Sequence, residues 1–438
     1  MRSLLISSVF ALLFTQAQGQ NVFGLKDCIS IGLERNFSIL IARNNESITK
    51  NNYTLGNAGF LPSLDLSGRH NGTLTDTKNK LTDGTSTSTT GVFNTNSNAA
   101  ATVGLTIFNG FNAVTTYKKL GELNAIGQLN TQMSVENLVA DIVSGYYNYV
   151  LQVQLMNNMK YALALSRERL RIDQDRYLLG SGSKLEVLQS QVYVNSDSSK
   201  LSRQNEVVRA ARIRLNEMMA LEDLGTDFIS KDTVIDVNPG LLYNTLLEET
   251  LSKNTNIQIA SKNKMISDYD YKLILSRSYP YLNFSGGYSY GFNTFSNSTN
   301  KSVQTNGMNY GLTLGFNIYD GFNQRRSLKN SAISRETSDL RYREIEQGIR
   351  ADLLTIFNAY SNNLRLINLE EQNLGTASEN HNIARERYRL GSLSGIDLRE
   401  VQLSLLDANE RVIAAHYQTK LAEVSLHLIS GSIMTYFK

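Results

Sequence analysis

The sequence predicts an α+β membrane protein made of two tandem copies of one unit, and three observations predict it. The stretch Arg387-Tyr388-Arg389-Leu390-Gly391-Ser392 repeats Arg176-Tyr177-Leu178-Leu179-Gly180-Ser181 at a spacing of 211 residues. The same spacing relates Tyr319-Asp320-Gly321-Phe322-Asn323 to Phe108-Asn109-Gly110-Phe111-Asn112, Tyr360 to Tyr149 and Gln402 to Gln191. Each half also carries two stretches of period-two alternation followed by a very long stretch of helical periodicity.

A chain of 438 residues ordinarily suggests two or three domains. The duplication instead divides it into equivalent halves, residues 20–223 and 241–438, joined by a connector over 224–240. Arg2, the apolar run Leu4 to Phe14 and Ala17-Gln18-Gly19 have the form of a secretory signal over residues 1–19, so the mature chain is expected to start near Gln20. No later stretch supplies the roughly 18 consecutive apolar residues of a membrane helix. Cys28 is the only cysteine and cannot pair within the chain. The residues before it, Leu25-Lys26-Asp27, do not resemble a lipid-attachment site, so Cys28 is expected to be unlipidated and packed as a small apolar side chain.

The 43 basic and 40 acidic residues leave a net charge of +3, which lacks the electrostatic footprint of a nucleic-acid binder. His70, His381, His416 and His427 include no pair at the i, i+4 spacing of a helical metal site. There is no strand-borne Gly-x-Ser-x-Gly for a nucleophile. No metal, cofactor or catalytic centre is expected, and the chain is not read as an enzyme.

In chain order, a helical pattern from Leu25 to about Gly59 recurs over Leu241 to Tyr279 at a spacing of 218, pairing Asn36 with Asn254, Tyr53 with Tyr271 and Pro62 with Pro280. The spacing falls to 211 by Phe108, so seven extra residues sit in that interval of the first half. The interval contains Thr73 to Asn98, a Thr/Ser/Asn/Gly-rich run, and its shorter counterpart is Asn293 to Asn306. Both are read as solvent-facing loops. Beside them lie alternating sets: Leu282, Phe284, Gly286, Tyr288, Tyr290 and Phe292, then Met308, Tyr310, Leu312, Leu314, Phe316 and Ile318. The first half has Leu64, Leu66 and Gly68, then Ala101, Val103, Leu105 and Ile107. The opposite faces are small and polar with almost no charge. Strands of about ten residues, apolar outside and polar inside, are the pattern of an outer-membrane barrel. Four strands leave two unpaired edges that lipid does not tolerate. The chain must therefore oligomerise, and a trimer of twelve strands is the simplest closed ring.

The longest elements follow, from Asn112 to Leu179 and from Asn323 to Leu390. Ile345, Ile349, Leu353, Ile356, Tyr360, Leu364 and Ile367 form a stripe with a mean spacing of about 3.67, which favours a nearly straight helix. Val135, Leu138, Ile142, Tyr146, Tyr149, Val153 and Met156 form the corresponding stripe. At 1.5 Å per residue each helix is about 100 Å long. Gly180 and Gly391 end them, and returning helices, Lys184 to Leu221 and Gly395 to Ile429, begin at once. Pro62, Pro239 and Pro280 interrupt none of these helices.

Signal peptide, duplicated halves, two strands per half and a long helix ending in Arg-Tyr-x-x-Gly-Ser together resemble the TolC-like outer-membrane efflux channel family, over essentially the whole mature chain. The resemblance implies a homotrimeric 12-stranded outer-membrane β-barrel, four strands per chain, continued by a long α-helical periplasmic barrel. It implies the outer membrane of a Gram-negative cell, contact with outer-membrane lipid, a periplasmic adaptor (membrane fusion) protein and an inner-membrane pump of RND, ABC or MFS type. Such a channel is the exit duct of a tripartite efflux or type I secretion system and passes drugs, small toxic compounds or secreted polypeptides unchanged. Its residues carry over as Arg176, Tyr177 and Gly180 in one adaptor-facing groove and Arg387, Tyr388 and Gly391 in the other. The periplasmic gate falls on Asp397 and Glu400, three apart on one helix face, which in a trimer make six carboxylates and favour cations. Glu186 and Gln189 are their first-half counterparts, giving a thinner acidic ring. Leu393 is a departure, standing where the family member that best fits this pattern has a basic residue that helps to lock the closed state, so the lock does not carry over with the channel. The rival reading is a surface-exposed structural or adhesive coiled-coil outer-membrane protein, which has no use for lipid-facing strands.

Overall fold

Each main strand pair opens directly after a proline, and each long helix stops just before a glycine. The computed structural model describes residues 21–436, so the signal peptide expected over 1–19 lies outside the described residues. The first half runs β1 (Asn21–Phe23), α1 (Leu25–Arg35), α2 (Phe37–Asn52), β2 (Ser63–Lys80), β3 (Ser86–Asn109), α3 (Asn112–Leu178) and α4 (Lys184–Met218). The second runs β4 (Phe228–Ser230), α5 (Tyr243–Lys253), α6 (Thr255–Ser276), β5 (Tyr281–Phe295), β6 (Ser302–Gly315), α7 (Asn323–Arg389), α8 (Gly395–Ile429) and a 3-10 turn, Ile433–Tyr436. The chain forms two compact units, and each draws on both halves.

The unit made of residues 42–132 and 255–347 holds a four-stranded antiparallel sheet in the order β2-β3-β5-β6. Ser63 lies opposite Gly104, Leu105 opposite Phe284 and Tyr281 opposite Gly315. β2 and β6 are the open edges. The alternation reads out as expected: Leu64, Leu66, Met308, Tyr310, Leu312 and Leu314 are all exposed large apolar side chains.

The polar runs Thr73–Asn98 and Asn293–Asn306 are not loops. The strands continue through them, leaving turns only at 81–85 and 296–301, so the strands are 14 to 24 residues long rather than about ten. Thr suits a pleated surface, and polar side chains pair across the ladder. The Thr95 and Thr294 hydroxyls are 2.5 Å apart, and Asn96 Nδ2 donates to Asn293 Oδ1 at 2.5 Å. β6 also stops at Gly315, so Phe316 and Ile318 lie beyond it.

The turn from β3 into α3 needs glycine for space as well as for conformation. Gly110 has φ +64, and a Cβ there would sit 2.2 Å from the Ser276 carbonyl oxygen. The following Phe111 is also left-handed, at φ 66, and Gly321 and Phe322 repeat the pair at φ 71 and 63.

The second unit comprises residues 21–41, 133–254 and 348–436 of the described chain. The expected single helices Leu25–Gly59 and Leu241–Tyr279 are each broken, at Asn36 and Asn254. Both asparagines leave the helical conformation, with ψ 128 and 121. Asn36 Oδ1 accepts from the Ser38 amide, while its Nδ2 donates to the Met218 carbonyl at 2.8 Å. Asn254 Nδ2 donates to the Ile429 carbonyl at 2.8 Å. Each side chain thus satisfies the C-terminal end of a returning helix, whose last carbonyls lack partners of their own. The sequence pattern also misses a two-stranded parallel sheet of β1 and β4, which brings part of the connector onto the first described residues.

Ile29, Ile142, Tyr146, Leu215 and Met219 are fully buried in the main core. Cys28 is buried there too, as a free thiol that desolvation, reinforced by the Asp27 charge, pushes up to about 12. A second cluster joins Leu246, Leu353, Tyr360 and Leu426. The stripe of the long helices faces these cores from Leu138 to Tyr149 and from Leu353 to Leu364, whereas Ile345 is exposed.

Candidate functional site: the two helical tips

Both tips close in the same way. At the first, the Gly180 amide donates to the Tyr177 carbonyl at 3.1 Å and the Ser181 amide to Arg176 at 2.9 Å. At the second, Gly391 donates to Tyr388 at 3.0 Å and Ser392 to Arg387 at 2.9 Å. This is the Schellman pattern, with φ +73 at Gly180 and +78 at Gly391. The chain then caps the returning helices with serine. Ser183 Oγ accepts from the Glu186 amide and Ser394 Oγ from the Asp397 amide, each at 3.2 Å.

Glu186 and Asp397 therefore occupy the same position, the third residue of a returning helix, but their carboxylates are used differently. Glu186 Oε2 accepts from the Ser183 amide at 2.8 Å and completes a capping box. Asp397 and Glu400 are exposed, and among the described residues neither has an ion-pair partner. Asp397 also suits the positive end of α8.

The two tip aromatics part company. Tyr177 is 44 % exposed, with Lys184 Nζ 5.5 Å from its ring centre. Tyr388 is 3 % exposed and packs with Ala384 and Leu398. Its hydroxyl donates to Asp173 Oδ1, and burial followed by that bond pushes the phenol up to about 12. The Arg176 guanidinium lies 4.6 Å from the Tyr388 ring and donates to the Tyr388 carbonyl. Arg387 is exposed, with Nη2 3.5 Å from the Ser392 carbonyl. Leu393 packs against the Tyr388 cluster as an apolar contact.

Behind the tips lies a buried polar set that motif reading missed. Arg399 on α8 makes a two-pronged ion pair with Asp197 on α4, at 2.9 and 3.0 Å, and donates to Ser166 Oγ at 3.2 Å. Asp173 accepts from both Ser190 and Tyr388. Arg169 stands 3.7 Å from Asp173 and 5.0 Å from the Tyr193 ring. The available signal was spacing: Ser166, Arg169, Asp173 and Arg176 recur at steps of three and four and so share one face of α3.

Two histidines, His381 buried and His427 half-buried, add a pH response. Burial lowers His381 and His427 below the usual value, and the neighbouring Arg385 pushes His381 the same way. The unfolded chain binds protons at these sites first, so stability is full above about pH 6.5 and falls as pH drops below it. Urea midpoints of the detergent-solubilised protein are expected to decline from pH 7 to pH 5. A His381→Gln, His427→Gln variant should show a shallower decline; an unchanged slope would remove these histidines from the account.

The chain matches the model of the family described as Outer membrane efflux protein over residues 28–221 and 246–432. It is 24 % identical to the outer membrane protein TolC of Vibrio cholerae over 233 residues, which is 50 % of this chain and 51 % of that protein. The aligned region thus spans about half the length of this curated relative. In fold it is similar to a membrane protein from Pseudomonas aeruginosa, with TM-score 0.75, 14 % identity and 93 % of each chain covered. It is also similar to the outer membrane protein VceC from Vibrio cholerae, with TM-score 0.74, 14 % identity and coverage of 93 % and 96 %. With both stretches of the family model matched and the same fold in these structures, the chain belongs to the outer membrane efflux protein family, whose members are outer-membrane transport proteins and not enzymes.

Proposed function

We propose that three copies of this chain form one closed channel, the exit duct of a tripartite efflux or type I secretion system. The observation that carries the proposal is the four-stranded sheet with two unpaired edges and a band of exposed apolar side chains. Such a sheet is untenable in lipid until its edges are joined. A family of outer-membrane efflux proteins supports the same reading. The two sequence repeats, 20–223 and 241–438 about the connector 224–240, supply two helical hairpins per copy. Their tips are the docking points for a periplasmic adaptor, which connects to an inner-membrane pump. Exposed Tyr177 and Arg387 offer side chains there, Gly180 and Gly391 set the turns, and Arg176 and the buried Tyr388 hold the tips together.

Asp397 and Glu400 form the gate, with Glu186 contributing less because its carboxylate caps α4. The test is purification in detergent, native mass spectrometry and conductance in planar bilayers. Trimers that conduct with cation preference are expected, and monomers without conductance would overturn the reading. Replacing Asp397 and Glu400 together with alanine is expected to raise single-channel conductance and weaken cation preference. An unchanged trace removes the gate assignment.

A further inference from the structure

The passage from β6 into α7 carries positive charge that its counterpart in the first half lacks. Arg325 and Arg326 stand in the first turn of α7, and Arg277 follows the last residue of α6. Under the repeat shifts of 211 and 218 residues these positions are Val114, Thr115 and Gly59, whereas Lys329 is matched by Lys118. The first half makes the same left-handed Gly-Phe turn without the three arginines, so the turn does not require them. Nor does the helix: the first turn of α7 has no acidic residue, and cations placed there face the positive end of the dipole.

These cations border two adjoining cavities. One, of about 520 Å³, is lined by Arg277, Asp320 and Arg325 together with Phe316, Ile318 and Phe322. The other, of about 420 Å³, is lined by Phe322, Arg325, Arg326 and Lys329. Asp320 is the only carboxylate lining either, and its Oδ2 already accepts from the Gln324 amide at 2.7 Å. The opening of α7 is thus capped from within, and the excess charge belongs to side chains. Among the described residues, the side chains of Arg277, Arg325, Arg326 and Lys329 have no ion-pair or hydrogen-bond partner.

The apolar walls indicate where the cavities open. Phe316 and Ile318 extend the alternation of Met308, Tyr310, Leu312 and Leu314 past the end of β6, and both are exposed, at 56 % and 88 %. The exposed rings of Tyr319 and Phe322 pack edge to face with centres 5.5 Å apart. Aromatic side chains that end an apolar band, with long cations beside them, mark the headgroup level of a membrane.

We infer that these cavities bind the phosphate of an anionic phospholipid, where the strands give way to the long helices. This rests on the membrane channel proposed above. Guanidinium forks match phosphate oxygens, and a basic pocket beside a lipid-facing surface selects negatively charged headgroups. The acyl chains then run along Phe316 and Ile318. Only the second half has the arginines, so each copy holds one such lipid.

The full-length protein, stripped of lipid in detergent and mixed with phosphatidylglycerol or phosphatidylcholine, tests the site by native mass spectrometry. Saturable binding of one phosphatidylglycerol per copy is expected, preferred over phosphatidylcholine by at least about tenfold. The variant Arg277→Gln, Arg325→Val, Arg326→Thr takes first-half residues at its last two positions. It is expected to reduce the preference to within about twofold, with trimers and conductance unchanged. If it yields no trimers, Arg325→Val alone carries the test and should weaken the preference by about threefold or more. Millimolar inorganic phosphate is expected to leave the lipid bound; displacement by phosphate would make this a small-anion site and overturn the lipid assignment. Conducting trimers with no preference, or a preference that the variants leave intact, would overturn the site and leave the channel reading standing. Monomers without conductance would overturn both.

Discussion

Replacing Arg399 with alanine is expected to destabilise the helical unit by about 3–5 kcal/mol, because it leaves a buried carboxylate without its counter-charge. The Arg399 and Asp197 side chains are only 9 % and 3 % exposed, and the guanidinium meets both carboxylate oxygens. Once the arginine is gone, Ser166 is the hydrogen-bond donor left to Asp197. Arg399→Leu combined with Asp197→Leu removes both charges, and a buried pair replaced by apolar residues is often neutral or better. The double variant should therefore recover most of the loss. The measurement is the unfolding midpoint of the detergent-solubilised protein by circular dichroism. A loss below about 1 kcal/mol for Arg399→Ala would mean that water reaches Asp197 and that the pair is worth no more than a surface one.

The same pair shows how far the sequence could be read. The strands, the long helices and the glycine turns were legible because they recur, and recurrence at 211 and 218 residues separates pattern from coincidence. The acids of the buried polar set and the arginine that answers Asp197 do not recur. The positions 211 residues after Asp173 and Asp197 are Ala384 and Ala408, and the position 211 before Arg399 is Leu188. For Asp197 the first half holds the acid and the second half supplies the cation, so a search for repeated motifs passes over the contact that joins them. Tyr388 misled in the opposite way. It repeats Tyr177 in sequence, but Asp173 and Arg176 draw it inward while Tyr177 remains outside. The strand lengths were lost to composition: Thr, Ser and Asn suggest loops when each is considered alone, and become strand residues once a partner strand answers their hydrogen bonds.

Tyr360→Ala is expected to cost a further large amount, about 3–5 kcal/mol, since it empties a ring-sized space in a core. Tyr360 is 1 % exposed among Leu353, Leu246 and Leu426. Its hydroxyl donates to the Asn238 carbonyl in the connector. The Asn238 amide in turn donates to Glu423 at 3.0 Å, and Glu423 also receives Lys420 at 2.9 Å and Tyr436 at 2.7 Å. The repeat partner Tyr149 makes the matching tether, donating to the Phe228 carbonyl at 3.0 Å. Each copy of the tyrosine thus holds one end of the segment that joins the two halves. Phenylalanine at either position keeps the ring and strips the tether, so it should cost only about 1–3 kcal/mol, for a carbonyl left without its partner. The loss should also be local, because the core stays filled. Limited proteolysis and hydrogen exchange separate the two effects. Tyr360→Phe is expected to speed exchange around Asn238 and Tyr149→Phe around Phe228, with the helices unchanged, whereas Tyr360→Ala should lower protection across the whole second cluster. If the phenylalanine variants proved as damaging as alanine, or left the connector as protected as before, the hydroxyls would have no part in anchoring it and the cores alone would hold the halves together.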